Sequence, residues 1–240
     1  MSKERENPLL VPCGTKKRTI DTHEKHINVI KSSNAQQIRT LLLGDSLLES
    51  INIVSIRYLY PSITTWLNCS VGGDGIQHLL YRMFLSNNNN ISTSIASLTN
   101  NFKNFDTIVI LIGTNNTNKK NYGEKIYEGI INIVDLIKKV NNSSRIIVLA
   151  IPPRTQTTRN SKIINSKEAV IITENTIICN SLLAKANDKY EYYDITNDFA
   201  TVNIGINQFE LVKEYFRDDV HFSDEGYKII LERLTSLINK

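Results

Sequence analysis

The feature that most constrains this chain is a set of short, almost unbroken apolar runs, each followed by a longer stretch with helical spacing. "RTLLL" (39–43), "DTIVILI" (106–112) and "RIIVLAI" (145–151) are the clearest of them. A strand with one wet face alternates apolar and polar residues, whereas a strand covered on both faces has no need to. These runs therefore predict parallel strands buried between layers of helix. "TTWLNCS" (64–70) and "YEYYDI" (190–195) are two further strand candidates. Helical patterns fill the intervals at 46–58, 75–85, 123–140 and 162–188, with a last one at 223–238. The segment "YGEKIYEGIINIVDLIKKV" sets Ile126, Ile130, Ile133 and Ile137 on one stripe and ends in basic residues, as a helix C-terminus favours. Strand–helix alternation of this kind implies right-handed crossovers and an α/β fold with a doubly wound sheet.

Residues 40–240 show neither a linker nor an internal repeat and read as one domain; "SNNNN" (86–90) reads as a polar loop within it. Residues 1–20 are polar, carry Pro8, Pro12 and Gly14, and are expected to form a flexible lead-in. Asp21 with Glu24 three residues later is a capping-box pattern, so a short helix is expected from there, giving a domain of residues 21–240. The whole formal charge of +4 lies in residues 1–39. "KKR" (16–18) is short and lacks interleaved aromatics, so it reads as a solvated arm, and no nucleic-acid partner is expected. Cys13, Cys69 and Cys179 are far apart and odd in number, which suits reduced thiols in a cytoplasmic setting. No hydrophobic leader and no membrane-length apolar run is visible, so neither a signal peptide nor a membrane span is expected.

In open parallel sheets, function collects beyond the carboxyl ends of the strands. Here those segments are "GDS" (44–46), "VGGDG" (71–75), "GTNN" (113–116), "PPR" (152–154) and the stretch 196–222. Ser46 stands at a strand-to-helix turn, where its hydroxyl is exposed and its own N–H points outward at a helix N-terminus. The same position also suits a plain N-cap serine. A nucleophile needs a base, a group that orients the base and donors for an oxyanion. Of the four histidines, only His221 falls in a strand-end loop, with Asp218 three residues before it. That spacing lets a carboxylate hold Nδ1 and leave Nε2 for the serine; "DDVH" also reads as a charged loop before a Ser-capped helix. The glycines of 72–75 can offer backbone N–H groups or merely turn the chain. Their spacing does not match the dinucleotide fingerprint G-x-G-x-x-G. Asn115 offers a side-chain amide, or an ordinary turn. "HEKH" (23–26) is not a zinc motif, and no metal is expected.

"GDSL" (44–47), the glycine turn (72–73), "GTNN" and "DDVH" resemble, in order, the four signature blocks of the SGNH/GDSL esterase–lipase superfamily. Within it, "LLLGDSL", "NCSVGGDGIQHLLYR", "VILIGTNN", "IIVLAIPPR" and "HFSDEGY" are most similar to the catalytic subunits of intracellular platelet-activating factor acetylhydrolase. The resemblance covers roughly 21–238 and implies a three-layer α/β/α, flavodoxin-like sandwich with a parallel five-stranded sheet. It further implies Ser46 as nucleophile, His221 and Asp218 as its partners, and an oxyanion hole from the Ser46 and Gly73 N–H groups with the Asn115 amide. No cofactor or metal is implied; a small-molecule or lipid ester is the implied substrate and a homodimer the implied assembly. Asp45 is expected to bond nearby backbone, His78 to pack, and Asp219 to be a fallback for Asp218.

Two departures bear on substrate choice. Ser70 stands where the family has a glycine, and the stretches 154–174 and 196–217 show little similarity. Apolar residues of the latter, Phe199, Ile204, Phe209 and Phe216, are candidate acyl-pocket residues. The expected activity is hydrolysis of short acyl or acetyl carboxylic esters by a serine esterase. Carbohydrate O-deacetylation, acyl transfer and a non-catalytic binding module on the same fold are the alternatives.

Overall fold

The computed structural model describes residues 7–13, 17–32, 38–54, 58–60, 64–84, 94–154, 166–185, 188–203, 208–218 and 220–240. Five parallel strands form the central sheet: β1 (Thr40–Gly44), β2 (Trp66–Asn68), β3 (Thr107–Leu111), β4 (Arg145–Leu149) and β5 (Glu191–Tyr193). Their spatial order is β2-β1-β3-β4-β5. The central strands carry the long apolar runs, with Leu42 opposite Val109 and Val109 opposite Ile147 in register.

Alternate residues of each strand feed opposite cores, which is why the runs are apolar throughout. Leu41, Leu43, Ile108, Ile110, Ile146 and Val148 pack on one face. They meet α1 (Lys17–Ser32), α3 (Ile76–Phe84), α4 (Ile95–Leu98), α5 (Gly123–Val140) and α6 (Ser166–Leu183). Leu42, Val109, Leu111, Ile147 and Leu149 pack on the other, against α2 (Ser46–Glu49) and α7 (Asp224–Ile238). The result is the expected three-layer α/β/α sandwich. The Ile126–Ile130–Ile133–Ile137 stripe of α5 is fully buried, as its spacing requires.

Several elements differ from the sequence reading. The helix expected over 46–58 is a single α-turn followed by a 3-10 turn, Ser50–Asn52. Ile51, Ile53 and Val54 are β-branched and lose side-chain freedom in a helix, and the Ile53 and Val54 N–H groups both fold back onto the Ser50 carbonyl. α1 begins at Lys17, so Asp21 lies inside it and forms no capping box. Nor are residues 7–13 a free lead-in. Asn7 caps a 3-10 turn, Pro8–Leu10, and hydrogen-bonds Glu128 and the Lys125 carbonyl, seating Leu9 in the core. The stretch 196–217 holds an unforeseen antiparallel hairpin, β6 (Ala200–Asn203) with β7 (Gln208–Leu211). The "SNNNN" segment, Ile204 and Asp219 lie outside the described residues.

Candidate active site

In this strand order the chain turns one way from β1 and the other way from β3, so the loops leaving β1 and β3 part and open a crevice. The site segments picked out above follow the carboxyl ends of strands, the last of them after β5 and ahead of α7.

Ser46 follows Gly44 and Asp45 directly. At Gly44, β1 lies so close to β3 that a Cβ would collide with the Leu111 carbonyl oxygen. Asp45 is fully buried and caps α2, one carboxylate oxygen accepting from the Leu47 N–H at 3.0 Å. Its other oxygen lacks a close partner and faces the Thr114 hydroxyl. Burial pushes the Asp45 carboxyl up to about 7, against the pull of the Leu47 N–H and the charge of Arg154. Ser46 becomes the first residue of α2, so its N–H has no acceptor within the helix.

The Ser46 hydroxyl lies 2.9 Å from His221 Nε2. His221 Nδ1 lies 2.9 Å and 3.0 Å from the two oxygens of Asp218. Backbone bonds hold Asp218 and His221 in place. Phe216 and Phe222 form an isolated β-bridge, the Arg217 N–H donates to the His221 carbonyl, and the His221 N–H donates to Asp218 at 2.8 Å. Val220 and Phe222 point inward, which turns His221 between them toward the crevice. Partial burial works against the Asp218 charge. The bonds from the His221 backbone and ring and from the Val220 N–H outweigh it and hold the carboxyl below its ordinary value. Behind the turn, Tyr227 of α7 donates to the Leu47 carbonyl at 2.9 Å, fastening the histidine-bearing element to the serine-bearing one.

The glycine turn after β2 is tied to β1 by the Val71 N–H on the Gly44 carbonyl. Gly73 has φ +81°, a conformation that disfavours side chains, and the place a Cβ would take opens on empty space. Asn115 sits on a 3-10 turn after β3, Thr114–Asn116, and donates one amide N–H to the Asp74 carbonyl at 2.8 Å. That leaves its second N–H for another acceptor. His78 accepts the Gly75 N–H on Nδ1 at 2.9 Å, so it braces the turn from the buried side. Ser70 is buried with ordinary negative φ and its N–H bonds Asn68, so nothing in the backbone requires glycine there.

Of the proposed pocket residues, Phe199 and Phe216 are not open to a ligand. Phe199 is completely buried, with its ring 4.4 Å from Phe222 and 6.0 Å from Phe216 and Tyr215, and these rings are core. The even apolar character that suggested a pocket comes from packing beneath the His221 turn. Phe209 lines a different hollow of about 220 Å³ with Ile177, Tyr192 and Asp194. A larger cleft of about 730 Å³ runs between α1 and α2, walled by Lys17, Arg18, Asp21, Lys25, Glu49 and Asn52. Its Glu49 wall lies one turn further along α2 than Ser46.

Sequence reasoning missed the buried charges of the site. Arg82, fully buried, donates to Asp74 at 2.9 Å, and Arg154, also buried, donates to the Thr117 hydroxyl. A guanidinium inside the apolar helix "IQHLLYRMF" was the available signal for the first. Among the described residues, no three His, Cys, Asp or Glu side chains converge as metal ligands, and no helix is long and apolar enough to cross a membrane.

With this geometry in hand, comparison with known proteins decides the family. The family described as GDSL-like Lipase/Acylhydrolase matches residues 27–234. The chain belongs to that family. It is 29% identical to platelet-activating factor acetylhydrolase IB subunit alpha1 of Rattus norvegicus over 65% of this chain and 62% of that protein. The match thus spans less than two thirds of the relative's length. The alpha2 subunit of the same species is 26% identical over 99% of this chain and 93% of its own. Among solved structures, a protein provisionally named as a platelet activating factor from Streptococcus pneumonia superposes with a TM-score of 0.66 at 20% identity, covering 92% of each chain. A GDSL-like lipase of Parabacteroides merdae superposes with a TM-score of 0.53 at 13% identity, over 82% of this chain and 93% of the other. At such identities the two structures speak for the shared GDSL fold alone.

Proposed function

We propose that this GDSL-family protein is a serine esterase that hydrolyses short acyl or acetyl carboxylic esters. One observation carries the reading: an unbroken Ser46–His221–Asp218 chain of 2.9 Å contacts at the switch point of the sheet. Asp218, held ionised, fixes the Nδ1–H tautomer and leaves Nε2 to accept the Ser46 proton as the oxygen attacks the ester carbonyl. The carbonyl oxygen, now anionic, takes hydrogen bonds from the Ser46 N–H, the Gly73 N–H and the free N–H of Asn115. His221 then passes its proton to the leaving alcohol, and water repeats the sequence to free the acid and regenerate the serine.

A short acyl group accords with the rings of Phe199, Phe216 and Phe222 beneath the His221 turn, which pack on one another. The acetylhydrolase names of the rat relatives support the same size. The mixed-charge cleft between α1 and α2 suits a polar alcohol portion of the substrate.

The test is hydrolysis of p-nitrophenyl acetate, butyrate and octanoate by the wild type and by Ser46→Ala. The expected result is a turnover lower by about 10⁴-fold or more in the variant, with acetate or butyrate preferred. Equal rates in both proteins would overturn the reading.

A further inference from the structure

The Asp74 carboxylate, next in sequence to Gly73, has no exposed surface, and two helices meet on it. One oxygen accepts from Thr19 Oγ1 of α1 at 2.6 Å, and the other from Arg82 Nε of α3 at 2.9 Å. Arg82 is anchored in turn by the Cys69 carbonyl at the end of β2. The backbone of Asp74 faces the site: its N–H closes the glycine turn on the Val71 carbonyl, and its own carbonyl is the acceptor that orients the Asn115 amide. Side chain and peptide of one residue thus couple the N-terminal helix to both donor loops. A second contact acts alongside. Arg18, next to Thr19, pairs with Glu49 of α2 at 2.7 Å, and both side chains lie over Gly72, within 3 Å of where its Cβ would be.

Resting on the esterase reading above, we propose that Thr19 is a positioning residue of the oxyanion hole, acting through Asp74 on Gly73 and Asn115. Thr19 is itself 1% exposed and precedes the stretch matched by the family, residues 27–234. The physical argument is one of satisfaction. Without the Thr19 hydroxyl, one oxygen of a fully buried carboxylate loses its donor, and Asp74 re-centres on Arg82. Its peptide moves with it, and with the peptide go the Gly73 N–H and the acceptor that aims Asn115. Displacements of well under 1 Å matter here, because the donors must meet an oxyanion that exists only in the transition state. Asp74 and Arg82 are poor places to probe this, since removing either leaves the other charge buried and alone. Thr19 is neutral, and Val matches its shape.

The experiment is a double-mutant cycle on p-nitrophenyl acetate hydrolysis with Thr19→Val, Thr19→Ser, Asn115→Ala and the double variant Thr19→Val/Asn115→Ala. Thr19→Val is expected to lower kcat about tenfold at near-constant KM, less than the 10²–10³-fold for losing a donor outright. Thr19→Ser, which keeps the hydroxyl, should restore most of the rate. In the Asn115→Ala background, Thr19→Val should cost less than in the wild type, because only its effect through Gly73 is left. A helix anchor with no link to Asn115 would give the same factor in both backgrounds, and that result would overturn the proposal. So would wild-type kcat in Thr19→Val. Thermal unfolding of each variant monitors the fold, and Thr19→Ala replaces Thr19→Val in the cycle if the latter does not fold. A wild type no faster than Ser46→Ala would strike the esterase reading and this proposal with it. An active wild type with an indifferent Thr19→Val strikes only the proposal.

Discussion

Replacing Asp45 by asparagine should flatten the dependence of stability on pH. The Asp45 carboxyl has no exposed surface, and burial raises it to about 7 in the folded chain. In the unfolded chain it returns to an ordinary value near 3.8. Between those values the folded state holds a proton that the unfolded state has released, so stability falls as pH rises through that window. Each unit of pKa difference corresponds to about 1.4 kcal/mol, and the loss between pH 5 and pH 7 comes to about 2 kcal/mol. Asparagine keeps an oxygen to accept the Leu47 N–H at the start of α2 and offers its amide to the Thr114 hydroxyl, without a charge to bury. Denaturant unfolding of the wild type and of Asp45→Asn at pH 5, 6, 7 and 8 measures the effect. The stability difference between the two proteins should grow by about 2 kcal/mol in favour of the variant between pH 5 and pH 7. Asp218 works in the opposite sense. Its carboxyl is held below its ordinary value, so its contribution is lost only as pH falls below about 4, outside this range. Parallel pH profiles for the two proteins would refute the argument, for they would mean that the buried carboxylate is ionised at no cost.

Two further predictions follow from single contacts. Asn115→Asp exchanges an amide donor for an anion facing the oxyanion position and should lower kcat on p-nitrophenyl acetate by on the order of 10²–10³; unchanged turnover would remove Asn115 from the site. Leu9→Ala should cost about 2–5 kcal/mol in denaturant unfolding, because Leu9 is 3% exposed within the core beside α3 and α5. A loss under about 0.5 kcal/mol, the size typical of surface sites, would mean that the N-terminal segment contributes nothing to the fold.

The parts of the fold legible in the sequence are those governed by periodicity over many residues. The apolar residues of the runs at 39–43, 106–112 and 145–151 form strands because each meets a core, and the isoleucine stripe of α5 is helical because its spacing repeats over about three turns. Short-range signals served less well. Asp21 and Glu24 made a capping pattern, yet the helix begins earlier, at Lys17, where Thr19 and His23 find buried places on the body of the protein. The aromatic residues at 199 and 216 were apolar and near the site. Whether a ring lines a pocket or fills a core depends on what stands behind it, here Phe222 and Tyr227.

The same division holds for the site. Strand-end position, one histidine in a suitable loop and an aspartate three residues before it were enough to bring Ser46, His221 and Asp218 together as candidates, because strand ends in a parallel sheet share one rim. Sequence by itself therefore determined the sheet, its burial and the residues that gather at its carboxyl edge. Only the tertiary structure decided how those residues are held. The contacts that hold them join positions far apart in the chain: Thr19 to Asp74, Arg82 to Cys69, Asn115 to the Asp74 carbonyl, and Tyr227 to the Leu47 carbonyl. No local pattern encodes such pairs. Each is selected because a polar group buried by folding must find a partner among whatever the fold brings within hydrogen-bonding distance.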